Sequence, residues 1–247
     1  MKIAVIADIH GNAPALEAVL ADIDRQGIRD IVNLGDHLSG PIDPASTADL
    51  LMARDIVSIR GNHDRALITL APDEMIATDR FTHAALSDHH FAWLRTLAPT
   101  RHMDEHGLFL CHGTPESDLV YWLEDLTPEG IVHRSDASRI ERLGAGVMAS
   151  VLLCAHTHIP RLVTLSDGRI VLNPGSVGCP AYEDDEPVAH KVETGTPHAS
   201  YAVIDKTGQG KADVSFRLVA YDHASAARLA ERNGRPDWAR ALSTGWM

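Results

Sequence analysis

Five short runs of apolar residues occur in the first two-thirds of this chain, and each is followed at once by polar side chains. The runs occupy residues 2–7, 31–34, 56–59, 108–111 and 151–154. A strand that is buried on both faces of a parallel sheet has such a continuous apolar run. Because ligands of open α/β sheets gather outside the carboxyl ends of the strands, the pattern predicts a sheet with one polar edge.

The polar residues that follow these runs are of the types that bind metals or transfer protons. In chain order they are Asp8, His10, Asp36, Asn62, His63, Asp64, His112, His156 and His158. Each motif alone is weak evidence, since Gly35-Asp36 is a common turn and a single His is more often packed or solvated. Together, five strand ends with such residues predict one pocket with enough ligands for two metal ions.

The length and composition are those of one ordinary domain. The chain has 247 residues, of which 45% are hydrophobic, and this is enough to bury a core without disulfides. Apolar spacing predicts helices over residues 12–25 and 44–54, so the first strands should belong to a βαβ unit and pair in parallel. We expect a single domain over residues 1–247, with helical cap-like insertions around 64–100 and 113–146.

The last third of the chain has a different pattern. Short strands are predicted at residues 161–165, 169–172, 200–204 and 213–220. Their spacing is typical of antiparallel hairpins. Residues 222–232 should form a closing helix, and the polar segment 183–198 is expected to be a mobile loop. The predicted α/β architecture is two sheets stacked face to face with helices outside.

The charge and the cysteine content exclude several classes of protein. The net charge is −12, so a nucleic-acid polymer is an unlikely partner, because that affinity depends on Lys and Arg. Three cysteines are too few, and odd in number, for a disulfide framework. No segment is long enough to span a bilayer, and residues 1–7 lack the features of a secretory signal, so we expect a cytoplasmic protein. The oligomeric state is left open.

These motifs, in this order, resemble the calcineurin-like metallophosphoesterase superfamily. The resemblance runs from Asp8 to His158 and includes every core motif of the family. Beyond it, Asn173-Pro174-Gly175-Ser176-Val177 and Tyr221-Asp222 are similar to the bacterial and archaeal phosphodiesterase-type branch. The resemblance implies a four-layer αββα sandwich of two mixed sheets flanked by helices.

The resemblance also implies a dinuclear metal site and a role for each motif residue. Asp8, His10 and His158 would hold the first ion, Asn62, His112 and His156 would hold the second, and Asp36 would bridge both. His63 would lie beside the ions and assist the leaving group. Catalysis would therefore depend on His63, Asp36 and Asn62.

The donor set restricts the metal and the chemistry. Mixed nitrogen and oxygen donors suit Mn, Fe, Zn or Ni ions better than Ca or Mg. Two such ions about 3.5–4 Å apart clamp a phosphoryl group and lower the pKa of shared water towards neutrality. The hypothesis is a metal-dependent phosphoesterase that hydrolyses small phosphodiesters or phosphomonoesters, including nucleotides, with an activated hydroxide.

Other functions of the same family remain as alternatives. Protein Ser/Thr phosphatases have Gly-Asp-x-x-Asp-Arg-Gly, whereas residues 35–40 read Gly-Asp-His-Leu-Ser-Gly. The Asp that would pair with the catalytic His is missing from that position, which weighs against a protein phosphatase. A dinucleoside polyphosphate hydrolase remains open, and a non-catalytic scaffold of the same fold is the non-enzyme alternative. The ligand set contains no Cys, which disfavours a structural zinc site.

Two features near the motifs have more than one interpretation. His37 follows the expected bridging Asp36 and could approach the substrate, although polar residues on such loops often only contact water. Tyr121-Trp122 could stack on a nucleobase. The interpretation that we prefer for Tyr121-Trp122 is a hydrophobic anchor for a short helix.

Overall fold

The computed structural model describes residues 1–207 and 211–247. The strands are β1 (Lys2–Ile6), β2 (Asp30–Asn33), β3 (Val57–Ser58), β4 (Arg101–Met103), β5 (Leu108–Leu110), β6 (Glu124–Leu126), β7 (Val132–Arg134), β8 (Val151–Leu153), β9 (Arg161–Thr164), β10 (Ile170–Asn173), β11 (Ala181–Asp184), β12 (His190–Glu193), β13 (Ala199–Thr207) and β14 (Lys211–Val219). The helices are α1 (Ala13–Arg25), α2 (Pro44–Met52), α3 (Asn62–Thr69), α4 (Ala77–Ala85), α5 (Asp88–Thr96), α6 (Ala137–Leu143), α7 (His223–Arg232) and α8 (Pro236–Thr244).

The strands form two five-stranded mixed sheets and two small hairpins. The first sheet has the order β14-β13-β1-β2-β3, and the second has the order β4-β5-β8-β10-β9. In the first sheet β1, β2 and β3 are parallel, with Ala4 opposite Ile31, and β13 pairs antiparallel to β1. In the second sheet β5, β8 and β10 are parallel, and the two edge strands are antiparallel. The parallel strands of each sheet therefore end at a common edge.

The alternation of side chains along β1 accounts for the layers. Successive side chains of a strand point to opposite faces of the sheet. Ile3 and Val5 belong to the apolar cluster between the sheets, together with Leu110 and Leu153 of the second sheet. On the other face Ala4 and Ile6 pack with residues of α1. This arrangement continues in the second sheet, where Phe109 and Leu152 pack outward.

A separate apolar cluster covers the outer face of the second sheet. Phe109 and Leu152 contact Trp122 and Ile140, the latter on α6. Helices therefore lie outside both sheets, and the predicted four-layer αββα sandwich is confirmed.

The first part of the chain agrees with the predicted elements within a few residues. Helix α1 begins after Asn12, whose side-chain oxygen accepts a hydrogen bond from the amide of Ala15. Residues 62–96 contain three helices, as expected for a largely helical segment. The division of the chain into one domain with cap-like insertions stays a prediction.

The second half departs from the predicted elements in four places. Residues 113–146 contain the β6–β7 hairpin besides α6, and the segment predicted as a mobile loop pairs as the β11–β12 hairpin. The late strands do not form one antiparallel sheet, since β9 and β10 join the second sheet and β13 and β14 join the first. Helix α8 was not predicted, although Pro236 at its start and Gly245 after its end are typical boundary residues.

The β11–β12 hairpin is held by contacts distant in sequence. Its buried residues include Val192 and His190, and the hydroxyl of Tyr182 lies 2.7 Å from that of Tyr121. A mostly polar segment can thus be ordered because its few large side chains reach partners elsewhere. In the described parts of the chain no helix has the length and apolar character needed to cross a membrane.

Candidate metal centre

The carboxyl ends of the parallel strands in both sheets meet at one place. Asp8 follows β1, Asp36 follows β2, and His112 follows β5. Asn62 begins α3 after β3, and the His156-Thr157-His158 segment follows β8. The structure brings all seven expected ligands and His63 together at this position, which is the polar edge that the apolar runs indicate.

Two groups of side chains have the spacing of metal ligands. Asp8, His10 and His158 form one group, and Asp36, His112 and His156 form the other, with the ligand atoms of each group within 4.8 Å of one another. Asn62 joins the second group, because its Oδ1 lies 3.0 Å from Nε2 of His112. A third group, Asp49, His89 and His90, is largely exposed and lies apart from these strand ends.

Asp36 lies between the two groups. Its Oδ2 is 3.2 Å from Nε2 of His112 and 3.9 Å from Nε2 of His10. In the first group, Nε2 of His10 and Nε2 of His158 are 3.1 Å apart. A carboxylate in this position can contact ions held by either group, as a bridging ligand does.

Backbone carbonyls orient the four histidines. The Nδ1–H groups of His10, His112 and His158 donate to the carbonyls of Ser39, Leu34 and Cys179 at 2.8, 2.9 and 2.7 Å. His156 is turned the other way, since its Nε2 donates to the carbonyl of Leu119 at 3.2 Å. The nitrogen left to face a metal is therefore Nε2 in three of them and Nδ1 in His156. This second hydrogen bond is typical of metal-ligating His residues.

Asp8 provides a test of whether these residues fit a metal. The residue is fully buried, and neither oxygen of its carboxylate has a hydrogen-bond partner. A buried carboxylate without partners is costly in a protein interior, whereas a cation beside it would satisfy both oxygens. The donor set and this orphaned carboxylate fit a divalent cation.

The backbone is strained at the same residues. In the described parts of the chain, the non-glycine residues with positive φ are Asp8, His10, Asp36, His156 and His158, with values from 51° to 70°. The left-handed region costs an L-residue about 1–2 kcal/mol, and such strain clusters at functional sites. Gly61 allows one of these turns, because a Cβ there would clash with the carboxylate of Asp36.

Buried polar side chains support the turn that carries His156 and His158. The hydroxyl of Thr157 donates to Glu124 at 2.6 Å and accepts a hydrogen bond from the amide of Asn173 at 3.0 Å. Glu124 is fully buried and also accepts a hydrogen bond from Arg161 at 2.5 Å. These contacts hold the residue between the two histidines, and sequence reasoning did not identify Glu124.

His63 lies beside the candidate metal ligands and is paired with a carboxylate that the motifs do not contain. Its Nδ1 is 2.8 Å from Oδ1 of Asp79 on α4, and its backbone N–H donates to Oδ1 of Asp36 at 3.0 Å. Asp79 was not identified from the sequence. Its local sequence, Ala77-Thr78-Asp79, has no signal that distinguishes it from an ordinary Asp in the first turn of a helix.

The structure separates the alternative interpretations of His37 and of Tyr121-Trp122. His37 is fully buried, and its Nδ1 lies 2.7 Å from Oδ2 of Asp64, so it does not approach a substrate. Trp122 is also buried and donates from Nε1 to the carbonyl of Ile140, which confirms it as a helix anchor. Tyr121 instead lines the cavity, with its ring centre 5.0 Å from that of His156.

A cavity of 1110 Å³ opens above the ligands. His10, Asp36, Asn62, His63, His156 and His158 are among its lining residues. The β11–β12 hairpin contributes Tyr182 and an acidic run, and α8 contributes Trp238, whose ring centre is 5.9 Å from that of His10. The late hairpin and the last helix therefore shape the entrance.

The charges of the two groups differ without metal. Burial opposes the charged form of His112, but the carboxylate of Asp36 outweighs it and raises the pKa of His112 to about 10. Burial raises the pKa of Asp8 well above its usual range. By contrast, burial lowers the pKa of His10 to about 4 and that of His156 to about 3. Without metal, His112 therefore holds an extra proton at neutral pH, whereas His10 and His156 are neutral.

Metal uptake should consequently release protons. At pH 7 a cation must displace the proton on Nε2 of His112, because the pKa of that residue is raised to about 10, so the affinity for the cation should rise with pH. Calorimetric titration with Mn²⁺ or Zn²⁺ in buffers of different ionisation enthalpy measures the number released. The variant His112→Ala should release fewer protons than the parent. Binding without proton release at pH 7 would contradict this account.

The strained turn at His156 gives a second prediction, made for the metal-free protein. Because His156 has a φ of 70°, His156→Gly should be about 1 kcal/mol more stable than His156→Ala. His112, outside the group with positive φ, is the control, and there Gly should be about 0.5–1 kcal/mol less stable than Ala. Urea unfolding in the presence of a chelator measures all four variants. The same order of stability at both positions would refute the strain at His156.

Comparison with known proteins places this geometry in a family. Residues 1–195 match the calcineurin-like phosphoesterase superfamily domain. The chain is 28% identical over 241 residues to Phosphodiesterase YfcE of Escherichia coli, covering 93% of this chain and 98% of that protein. It is 26% identical over 259 residues to the uncharacterized protein MJ0912 of Methanocaldococcus jannaschii, covering 96% and 94% of the two chains.

Solved structures give the same result. A metallophosphoesterase from Sphaerobacter thermophilus superposes with a TM-score of 0.76 at 25% identity, and the match covers 99% of both chains. The motif order, the two-sheet sandwich and these relatives agree. The chain belongs to the calcineurin-like phosphoesterase superfamily and is a metal-dependent phosphoric ester hydrolase of that family.

Proposed function

We propose that this protein hydrolyses small phosphodiesters or phosphomonoesters, nucleotides among them, at a dinuclear metal site. The observation that carries the proposal is the position of Asp36 between two groups of ligands, with His63 beside them. The first ion would be held by Asp8, His10 and His158, and the second by Asn62, His112 and His156. Asp36 would contact both ions.

The donor chemistry supports transition-metal ions. Imidazole and carboxylate donors suit Mn, Fe, Zn or Ni, and four of the seven expected ligands are His. When bound, two such ions supply Lewis acidity for the phosphoryl group and for the attacking water. The choice among these metals is part of the proposal.

His63 is proposed to donate a proton to the departing oxygen. Burial disfavours the imidazolium, but the negative charges of Asp36 and Asp79 outweigh it and raise the pKa of His63 to about 9. Without metal the ring is therefore charged at neutral pH, and it lines the cavity. A positioned acid of this kind contributes about 10²–10⁴-fold to rate.

The cavity and its charge favour a small substrate. A volume of 1110 Å³ slightly exceeds the usual range of small-molecule sites, which are about 300–1,000 Å³. Glu183, Asp184, Asp185 and Glu186 line one side of it, and the chain carries a net charge of −12. A polyanion such as DNA or RNA would be repelled there. The expected cytoplasmic location stays a prediction.

The relatives favour phosphodiesters over the other candidates. YfcE of Escherichia coli is named a phosphodiesterase, and this chain matches nearly all of it. A protein Ser/Thr phosphatase is disfavoured by residues 35–40, which lack the second Asp and the Arg of that class. A dinucleoside polyphosphate hydrolase is the second candidate, because the large cavity has the aromatic side chains of Tyr121, Tyr182 and Trp238 on its wall.

The proposal is tested with a panel of phosphate esters. Metal-stripped protein reloaded with Mn²⁺, Fe²⁺, Zn²⁺ or Ni²⁺ should hydrolyse bis(4-nitrophenyl) phosphate, and the panel adds cyclic nucleotides, monoesters and diadenosine polyphosphates. Asp36→Ala should abolish turnover and reduce the bound metal, because the bridge is lost. Asp73→Ala, an exposed carboxylate away from the cavity, is the matched control. Full turnover by Asp36→Ala would exclude the shared-ligand site.

The role of His63 gives a separate prediction. His63→Ala should retain its metal, since His63 is not among the proposed ligands. Its turnover of a diester with an alkyl leaving group should fall about 10²–10⁴-fold, because an alkoxide needs a proton. The loss of turnover by His63→Ala on a 4-nitrophenyl ester should be much smaller, because 4-nitrophenolate is a stable leaving group without a proton. Equal turnover of the alkyl ester by variant and parent would remove His63 from the mechanism.

A further inference from the structure

We propose that Asp79 is the positioning residue of His63 and supplies, from α4, the carboxylate that residues 35–40 lack. This inference rests on the proposed function of His63 as the acid for the leaving group. Asp79 lies in the helical segment between β3 and β4, outside every motif at the strand ends. Asp79 would therefore be a residue of the active site that comes from the predicted helical insertion around residues 64–100.

The contact fixes which nitrogen of His63 faces the cavity. Oδ1 of Asp79 lies 2.8 Å from Nδ1 of His63, and a carboxylate accepts only from a protonated nitrogen. The Asp79 side chain is 4% exposed, whereas that of His63 is 25% exposed and lines the cavity. The carboxylate thus sits behind the ring, and Nε2 is left for a substrate. A second hydrogen bond of this kind sets the orientation of an imidazole.

Asp79 is itself held in place by the loop that follows β2. The hydroxyl of Ser39 donates to the same oxygen of Asp79 that contacts His63. The carbonyl of Ser39 accepts the hydrogen bond from Nδ1 of His10, a proposed metal ligand. Ser39 therefore links the support of His63 to the support of the metal site. A shift of α4 would disturb both.

Helix α4 is docked by further polar contacts on the same side. Oγ1 of Thr82 accepts from the backbone N–H of Gly40 at 3.0 Å, and Thr78 accepts from the guanidinium of Arg235. Within residues 1–207 and 211–247, the ion pairs of Asp79 include no Lys or Arg, and its cationic partner is His63. A buried carboxylate needs a charged or hydrogen-bonded partner, and here the partner is the proposed acid.

Another His–Asp pair in the chain serves as a contrast. Nε2 of His90 lies 3.1 Å from Oδ1 of Asp49, whose side chain is 66% exposed. Nδ1 of His90 accepts from the backbone N–H of Ser87 at the start of α5, so this pair has a structural role. It lies away from the cavity, and Asp49→Asn is therefore a matched control for Asp79→Asn.

The kinetic test is a double-mutant cycle on two diesters. Asp79→Asn, His63→Ala and the double variant are compared with the parent on bis(4-nitrophenyl) phosphate and on an alkyl diester followed by ³¹P NMR. Asp79→Asn should lower kcat on the alkyl diester at least about tenfold, keep kcat on the nitrophenyl ester within about threefold, and retain its metal. In the His63→Ala background it should cause no further loss. Asp49→Asn should match the parent.

Two kinetic results would overturn the proposal. Equal losses on both diesters would mean that Asp79 maintains the site as a whole. If Asp79→Asn lowered kcat on the alkyl diester by the same factor in the parent and in the His63→Ala background, Asp79 would not act through His63. Metal content, measured on each variant, separates either result from simple loss of the ions.

A spectroscopic test uses the parent itself and does not depend on turnover. In the Zn²⁺-loaded protein with ¹⁵N-labelled histidines, His63 is assigned by the signal missing from His63→Ala. Its Nδ1 should carry a hydrogen-bonded proton with a strong downfield shift. A His63 ring protonated only at Nε2 would refute the contact even if Asp79→Asn failed to fold. If the parent hydrolysed no ester, the proposed function would fail while this measurement still decided the contact.

Discussion

The parallel pairing of strands in two sheets packed face to face is the constraint on which the site depends. Parallel strands end at the same edge, so Asp8 and Asp36 leave the first sheet side by side, and His112 and His156 leave the second. The apolar layer between the sheets, with Ile3 and Leu110 as examples, sets the distance between these edges. The ligands meet because the core positions the strand ends.

That convergence places several polar groups where they are unstable without a ligand. Five of the converging residues have positive φ, and the carboxylate of Asp8 is buried without a hydrogen bond. A stable core must offset this unfavourable free energy, and a bound cation would recover part of it. The backbone carbonyls that orient His10, His112 and His158 come from two loops, the β2–α2 connection and the β10–β11 connection. The orientation of these histidine rings therefore depends on loops from both sheets.

A second layer of carboxylates supports the first. Asp64 is fully buried and accepts hydrogen bonds from the backbone N–H groups of Asp36 at 2.8 Å and Gly61 at 2.9 Å. Glu124 holds Thr157 between two histidines, and Asp79 contacts His63. Each of these carboxylates binds a group on a site loop rather than solvent. Mutations in this layer should therefore alter the site without removing a ligand.

Sequence alone determined five strands of the parallel core (β1, β2, β3, β5 and β8), the order of the motifs and the family, because these depend on local apolar runs and on the residues directly after them. It also identified the eight side chains that the tertiary structure brings together. Tertiary structure alone decided that Asp79 pairs with His63, that His37 is buried against Asp64, and that residues 181–193 form a hairpin. Those contacts join segments far apart in the chain or depend on burial, and a local pattern of residues has no information about which distant side chain will fill a given space.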